Sequence, residues 1–148
     1  MPLPPFEANG DLPLGVHLAT LQDVFSRFGN VTFRRMVIAR RLERIHEIAT
    51  STGHLARFIV FGSFITSKPE PNDVDVFMLM EDSFEGNQLV GEARLLFDHT
   101  AAQSHFGASV FWLRRLAAFG GEQATIEYWQ IKRDNGFRGI VEIIPETP

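Results

Sequence analysis

Phe61-Gly62-Ser63-Phe64-Ile65-Thr66-Ser67-Lys68-Pro69-Glu70-Pro71-Asn72-Asp73-Val74-Asp75-Val76 is the stretch on which the fold turns. It is entered from Phe58-Ile59-Val60-Phe61, a continuous apolar run with the length and composition of a buried central strand, which Gly62-Ser63 brings to a stop. Pro69, Pro71 and Asn72 make the middle a loop. Asp73-Val74-Asp75-Val76-Phe77-Met78-Leu79-Met80 then reads as a second core strand that begins in acid. Side chains two apart on a strand share a face, so Asp73 and Asp75 project together with their carbons roughly 6 to 7 Å apart. Two carboxylates so placed grip a hard divalent cation, and one or two carboxylates plus substrate phosphates are a typical ligand set for Mg2+. Gly62 lets backbone approach a phosphate closely, while the Ser63 hydroxyl and nearby N–H groups bind its oxygens. Lys68, in the loop between the halves, is placed either to meet a phosphate or simply to face solvent.

On the N-terminal side, Ile38, Leu42, Ile45 and Ala49 form one stripe of a helix over 32–52, with Thr32 to cap its start and Gly53 to end it. Arg34, Arg35, Arg40, Arg41 and Arg44 fall on its other faces with Glu43 and Glu47, the pattern of a solvated face stapled by local ion pairs rather than of a phosphate-binding surface. Leu18, Leu21, Val24, Phe25 and Phe28 recur at helical spacing and predict a helix over 17–28. Residues 1–15 carry four prolines and two glycines and read as an extended arm on the surface of a single domain spanning 16–148.

On the C-terminal side, Leu89, Ala93, Leu96 and Phe97 suit a helix. Ser109-Val110-Phe111-Trp112-Leu113 suits a third strand, a short helix passes through Ile126 and Trp129, and 138–144 gives a last strand. Helices and strands interspersed in this way define an α+β class. Trp112, Tyr128 and Trp129 read as core or core-rim aromatics, and the five histidines lack metal-ligand spacing.

With 148 residues, 45% of them hydrophobic, the chain has the apolar content for one real core. A net charge of −4 gives no whole-molecule attraction to nucleic acid or an anionic membrane. The lack of cysteine removes thiolate catalysis, disulfides and cysteine-based zinc sites together, and fits a reducing cytoplasm. Neither a signal peptide nor an apolar run of membrane-spanning length is present, so the expectation is a cytoplasmic protein with no membrane partner.

Two rival chemistries fail on the same residues. A P-loop needs Gly-x4-Gly-Lys-Ser/Thr, but the stretch from Gly62 to Lys68 lacks the second glycine and runs into Pro69, which offers no N–H. A nucleophile elbow needs glycine two residues to either side of the serine, where Phe61 and Ile65 stand. Alone, Asp73 and Asp75 would read as a turn residue and a strand-edge cap; the Gly-Ser pair ten residues before Asp73 favours a metal site.

Gly62-Ser63, a short loop, and Asp73-x-Asp75 on the next strand resemble the pattern of the polymerase-β-like nucleotidyltransferases, especially their minimal bacterial members. The longer run 61–76, with Leu12-Pro13-Leu14-Gly15-Val16-His17 upstream and Tyr128-Trp129-Gln130 through Arg138-Gly139-Ile140 downstream, is similar to a small bacterial subgroup of them. The resemblance implies a nucleotidyltransferase-like small mixed β-sheet with helices packed on it. It also implies a triphosphate held by Gly62 and Ser63, and catalytic metals on Asp73 and Asp75. The implied activity is Mg2+-dependent transfer of a nucleoside monophosphate from an NTP, ATP in the first instance, to a hydroxyl on a small molecule, protein or RNA. The family places a third carboxylate on a later strand, and Ser109 stands at that place here. A neutral hydroxyl is a poor Mg2+ ligand and no general base at neutral pH. Asp98, Glu127 or Glu142 could replace it only if the fold brought one to the site. The alternative is a non-catalytic member that binds nucleotide or a protein partner.

Overall fold

Five runs of alternating or continuous apolar residues pair into one mixed sheet: β1 (Val16–Thr20), β2 (Leu55–Phe61), β3 (Val74–Met80), β4 (Ala108–Arg114) and β5 (Ile140–Ile144). The computed structural model describes residues 3–118 and 120–146. Met1 and Pro2 of the expected arm, and Phe119, Thr147 and Pro148 of the expected domain, lie outside them. The spatial order is β1-β5-β2-β3-β4. β1 runs parallel to β5, and β3 parallel to β4, while β2 is antiparallel to both of its neighbours. The protein is therefore α+β with a mixed sheet, as the sequence implies.

Strand alternation divides the core in two. Phe58 and Val60 of β2, Val76 and Met78 of β3, Val110 of β4 and Val141 of β5 face α1 (Leu21–Phe28), α2 (Phe33–Ser51), α3 (Gly91–Leu96) and α4 (His99–Phe106). Ile59, Phe77, Leu79 and Ile140 point to the opposite face, where Ile126 of α5 (Glu122–Tyr128) packs on them. Asp75 lies between Val74 and Val76 in β3 and so belongs to this second, thinly covered face.

Several expected elements shift. The helix expected over 17–28 begins only at Leu21, because residues 16–20 pair with β5 and the Thr20 hydroxyl caps α1 by accepting from the Asp23 N–H. Asp23 reciprocates by accepting from the Thr20 N–H, a capping box that fixes the switch from strand to helix. Thr32 caps α2 as expected, through the Arg35 N–H. The helical pattern after Leu89 splits into α3 and α4, with the Asp98 carboxylate capping the second at the Ala101 N–H. The proline-rich N-terminal segment does not lie wholly on the surface, since Asp11 and Leu12 are buried. Its Gly10 carbonyl accepts from Ser67 N–H at 2.9 Å, and its Leu12 carbonyl from Gly139 N–H at 3.0 Å, tying the 61–76 loop to the segment entering β5. No helix among the described residues is long and apolar enough to cross a membrane.

Candidate functional site

Gly62 follows the last residue of β2, the middle strand, at φ +85°, a conformation that favours glycine, and Ser63 opens a single 3-10 turn, Ser63–Ile65. Phe61 pairs with Asp75 across the antiparallel strands. A side-chain carbon on Gly62 would collide with the Asp75 carboxylate, lying 2.9 Å from its Cγ and 3.2 Å from its Cβ. The two halves of the motif are thus in contact through the one residue that has no side chain to obstruct them.

Asp73 precedes the first residue of β3, one position later than the strand start expected from sequence. Asp75 stands opposite Ser109 in the parallel β3–β4 register, and the Ser109 hydroxyl donates to Asp73 Oδ2 at 3.3 Å. Burial and the neighbouring Asp73 charge raise the Asp75 carboxyl from its ordinary 3.8 to about 6, against the opposing pull of the Ser109 hydroxyl, Arg133 and Arg138. Repulsion between close carboxylates is what a bound cation would relieve. Ser63, Lys68, Asp73 and Asp75 line one cleft of about 580 Å3.

Other candidates lie elsewhere. Glu142 is engaged by Arg57, whose guanidinium donates to it at 2.6 and 2.9 Å on the far part of the sheet, so neither joins the cleft. Asp98 is the α4 cap, and Glu127 accepts from Gln123 on α5. Thus none of these three carboxylates joins Asp73 and Asp75. Among the described residues no group of three or more His, Asp or Glu side chains is placed to hold a metal by itself.

Two features of the site escape the motif. Arg35, counted among the solvated arginines of α2, is instead buried at 2% exposure. Its guanidinium donates to the carbonyls of Phe64 at 2.6 Å, Thr66 at 2.7 Å, Phe28 at 3.1 Å and Lys68 at 3.1 Å, so one side chain holds the whole turn after Ser63. Burial lowers its pKa, a cost offset by these charge-assisted bonds. Arg34 and Arg44 are solvated as expected, but only the Arg44–Glu47 pair is local to the helix; Arg34 pairs with Glu70 and Arg44 also with Glu92, both distant in sequence. The second feature is a hairpin closed by the Ile131–Phe137 bridge, with Lys132 N–H donating to Gly136 O at 2.7 Å and Asn135 at φ +68°. It brings Lys132, Arg133 and Arg138 to the cleft. The Asn135-Gly136 dipeptide between Ile131 and Phe137 is the sequence signal for it.

A mixed sheet in an α+β fold, with two carboxylates, a glycine-serine turn and a flanking hairpin that carries Lys132 and Arg133 at one end of its central strands, defines the class of site. The chain matches the profile of DUF6932, a family of unknown function, over residues 4–144, and it belongs to that family. No curated protein and no solved structure matches it.

Proposed function

We propose that this chain is a cytoplasmic nucleotidyltransferase of the polymerase-β-like class, moving a nucleoside monophosphate from an NTP to an acceptor hydroxyl with the help of Mg2+. The observation that carries the reading is the abutment of Gly62 on Asp75, which sets the turn from Ser63 against a carboxylate pair, the two sharing one cleft. Asp73 and Asp75 fit Mg2+: both are half-buried, both present oxygen ligands, and their mutual repulsion favours a divalent cation. Bound there, the ion would neutralise charge on the phosphates. The residues of the chain do the rest: Gly62 leaves room for the Asp75 carboxylate to sit against the turn, the Ser63 hydroxyl and the N–H groups of its turn bind phosphate oxygens, and Lys68 adds a positive charge. Arg35 keeps the turn's carbonyls directed inward, away from the anion.

Ser109 favours a second reading, in which nucleotide is bound but not turned over. It stands directly opposite Asp75 in the sheet register, where the resemblance implies an acid that would ligate metal and take the proton from the attacking hydroxyl. Calorimetry with and without Mg2+, combined with mass spectrometry for nucleotide added to candidate protein, RNA and small-molecule acceptors, tests both. Mg2+-dependent NTP binding with transfer supports the first reading, and binding without transfer supports the second. Equal NTP affinity with and without Mg2+ would reject the metal site on which both depend.

A further inference from the structure

The cleft is lined by four carboxylates, on Asp11, Asp73, Asp75 and Asp134, and by four cations, on Lys68, Lys132, Arg133 and Arg138. Its formal charges therefore balance, and its attraction for a polyanion depends on which cations are free to act. Lys132 Nζ lies 2.9 Å from Asp11 Oδ2 and Arg138 lies 3.4 Å from Asp11 Oδ1, so both are held by one carboxylate, on a side chain only 9% exposed. Arg133 is exposed and forms no hydrogen bond or ion pair among the described residues, yet its charge acts on Asp75. The hairpin that carries it is tight: besides the Ile131–Phe137 bridge, the Asp134 carboxylate accepts from Gly136 N–H at 2.9 Å. Gln130, 8% exposed, anchors its base by accepting from Gly15 N–H at 2.6 Å and, through its carbonyl, from Arg138 N–H at 2.9 Å.

We propose that Arg133 is a polyphosphate-binding residue and that Asp11, by holding Lys132 and Arg138, is the positioning residue that fixes the hairpin beside the cleft. The inference rests on the nucleotide-binding reading above and adds to it a second wall, separate in sequence from the Ser63–Lys68 loop. The phosphate chain is gripped by N–H groups and Lys68 from one segment and by a guanidinium from the other. A planar guanidinium donates two bonds to one phosphate group, which gives Arg133 a role that a lysine fills only in part. Because Asp11 already holds the neighbouring cations, removing Arg133 takes away the hairpin cation that forms no hydrogen bond or ion pair among the described residues.

The test uses the full chain and three ligands measured by calorimetry: Mg2+ alone, tripolyphosphate with Mg2+, and ATP with Mg2+. Arg133→Gln is expected to weaken tripolyphosphate and ATP by about tenfold or more, the loss of one charge-assisted contact, without weakening Mg2+ binding and with the denaturant midpoint unchanged. Arg133→Lys is expected to fall between Gln and the wild type. Asp11→Asn also frees Lys132 and Arg138, so its positioning role is read in the double variant: Arg133→Gln is expected to cost less polyphosphate affinity in the Asp11→Asn background than in the wild type, and an equal cost in both would overturn the role given to Asp11. Wild-type binding of Mg-ATP that Arg133→Gln leaves unchanged would overturn this inference while the nucleotide-binding reading stands. An equal loss of affinity for Mg2+ alone would also overturn it, since Arg133 would then act through the carboxylates. Wild-type protein that binds neither polyphosphate would remove both.

Discussion

Gly62, just past the end of β2, and Asp75 of β3 are neighbours at a separation that leaves no space for a side chain on residue 62, whose φ of +85° also disfavours any residue but glycine. Even Gly62→Ala is therefore expected to be disruptive, combining a left-handed backbone with a methyl driven into the carboxylate. A stability loss of about 1–3 kcal/mol and loss of NTP binding are expected. Chemical denaturation and calorimetry on the same preparation measure both. An alanine variant with wild-type midpoint and affinity would contradict the packing described here.

The raised Asp75 carboxyl makes a prediction about pH. Between its ordinary 3.8 and about 6, the folded protein retains a proton that the unfolded chain has released, so stability falls as pH rises through that window. In metal-free protein the stability contributed by the protonated form is full below about pH 4 and gone above about pH 6, a change on the order of 1–3 kcal/mol. Asp75→Asn should flatten that dependence and raise the denaturant midpoint at pH 7. It should also abolish any Mg2+ requirement for NTP binding, as should Asp73→Asn. A midpoint that instead rises from pH 4 to 7 in the wild type, and does so in Asp75→Asn too, would argue against the assignment.

Removing Arg35 strips partners from four buried or half-buried carbonyls at once. Arg35→Met preserves much of the volume but none of the donors, and should cost about 3–5 kcal/mol. Nucleotide affinity should fall with it, since the turn from Ser63 loses its anchor. Urea midpoints distinguish this from the exposed Arg34→Met, expected to change stability by less than about 1 kcal/mol.

Core substitutions separate buried strand from cleft rim. Ile59 is fully buried, and Ile59→Ala should cost about 2–5 kcal/mol. Phe61 is half-buried, with its ring 4.6 Å from Trp129 at the edge of the sheet, so Phe61→Ala should cost less than Ile59→Ala and perturb Trp129 fluorescence. Equal losses at both positions would contradict this gradient.

Ser109→Asp tests whether the proposed reaction needs a third acid. A third carboxylate beside Asp73 and Asp75 should lower stability without metal by like-charge repulsion, and Mg2+ should restore it while binding more tightly than to the wild type. Raised NTP turnover in this variant would favour the binding-only reading of the wild type. Turnover already present in the wild type and reduced by Ser109→Asp would favour the enzyme.

What the sequence determined by itself was whatever depends on local period and on residues a few positions apart. Phe58 to Phe61 and Val74 to Met80 could be read as strands because burial on both faces needs continuous apolar residues, and Thr32 with the stripe from Ile38 to Ala49 sufficed for α2. Asp73 and Asp75 share a face for the same reason. What only the tertiary structure decided were relations between residues far apart in the chain. Residues 16–20 have enough helical pattern to extend α1, yet they become a strand because β5 offers them a parallel partner more than a hundred residues later. Arg35 belongs to a basic run indistinguishable from a solvated face until the carbonyls of Phe64, Thr66 and Lys68 are folded against it. Ser109 could be put opposite Asp75 only once the register of β3 and β4 was known, and Lys132, Arg133 and Arg138 reached the cleft only through the hairpin after α5 and the buried charge of Asp11. Propensity acts over a few residues, whereas desolvated charges and strand edges must find partners wherever the fold supplies them, and those partners are not written beside them in the chain.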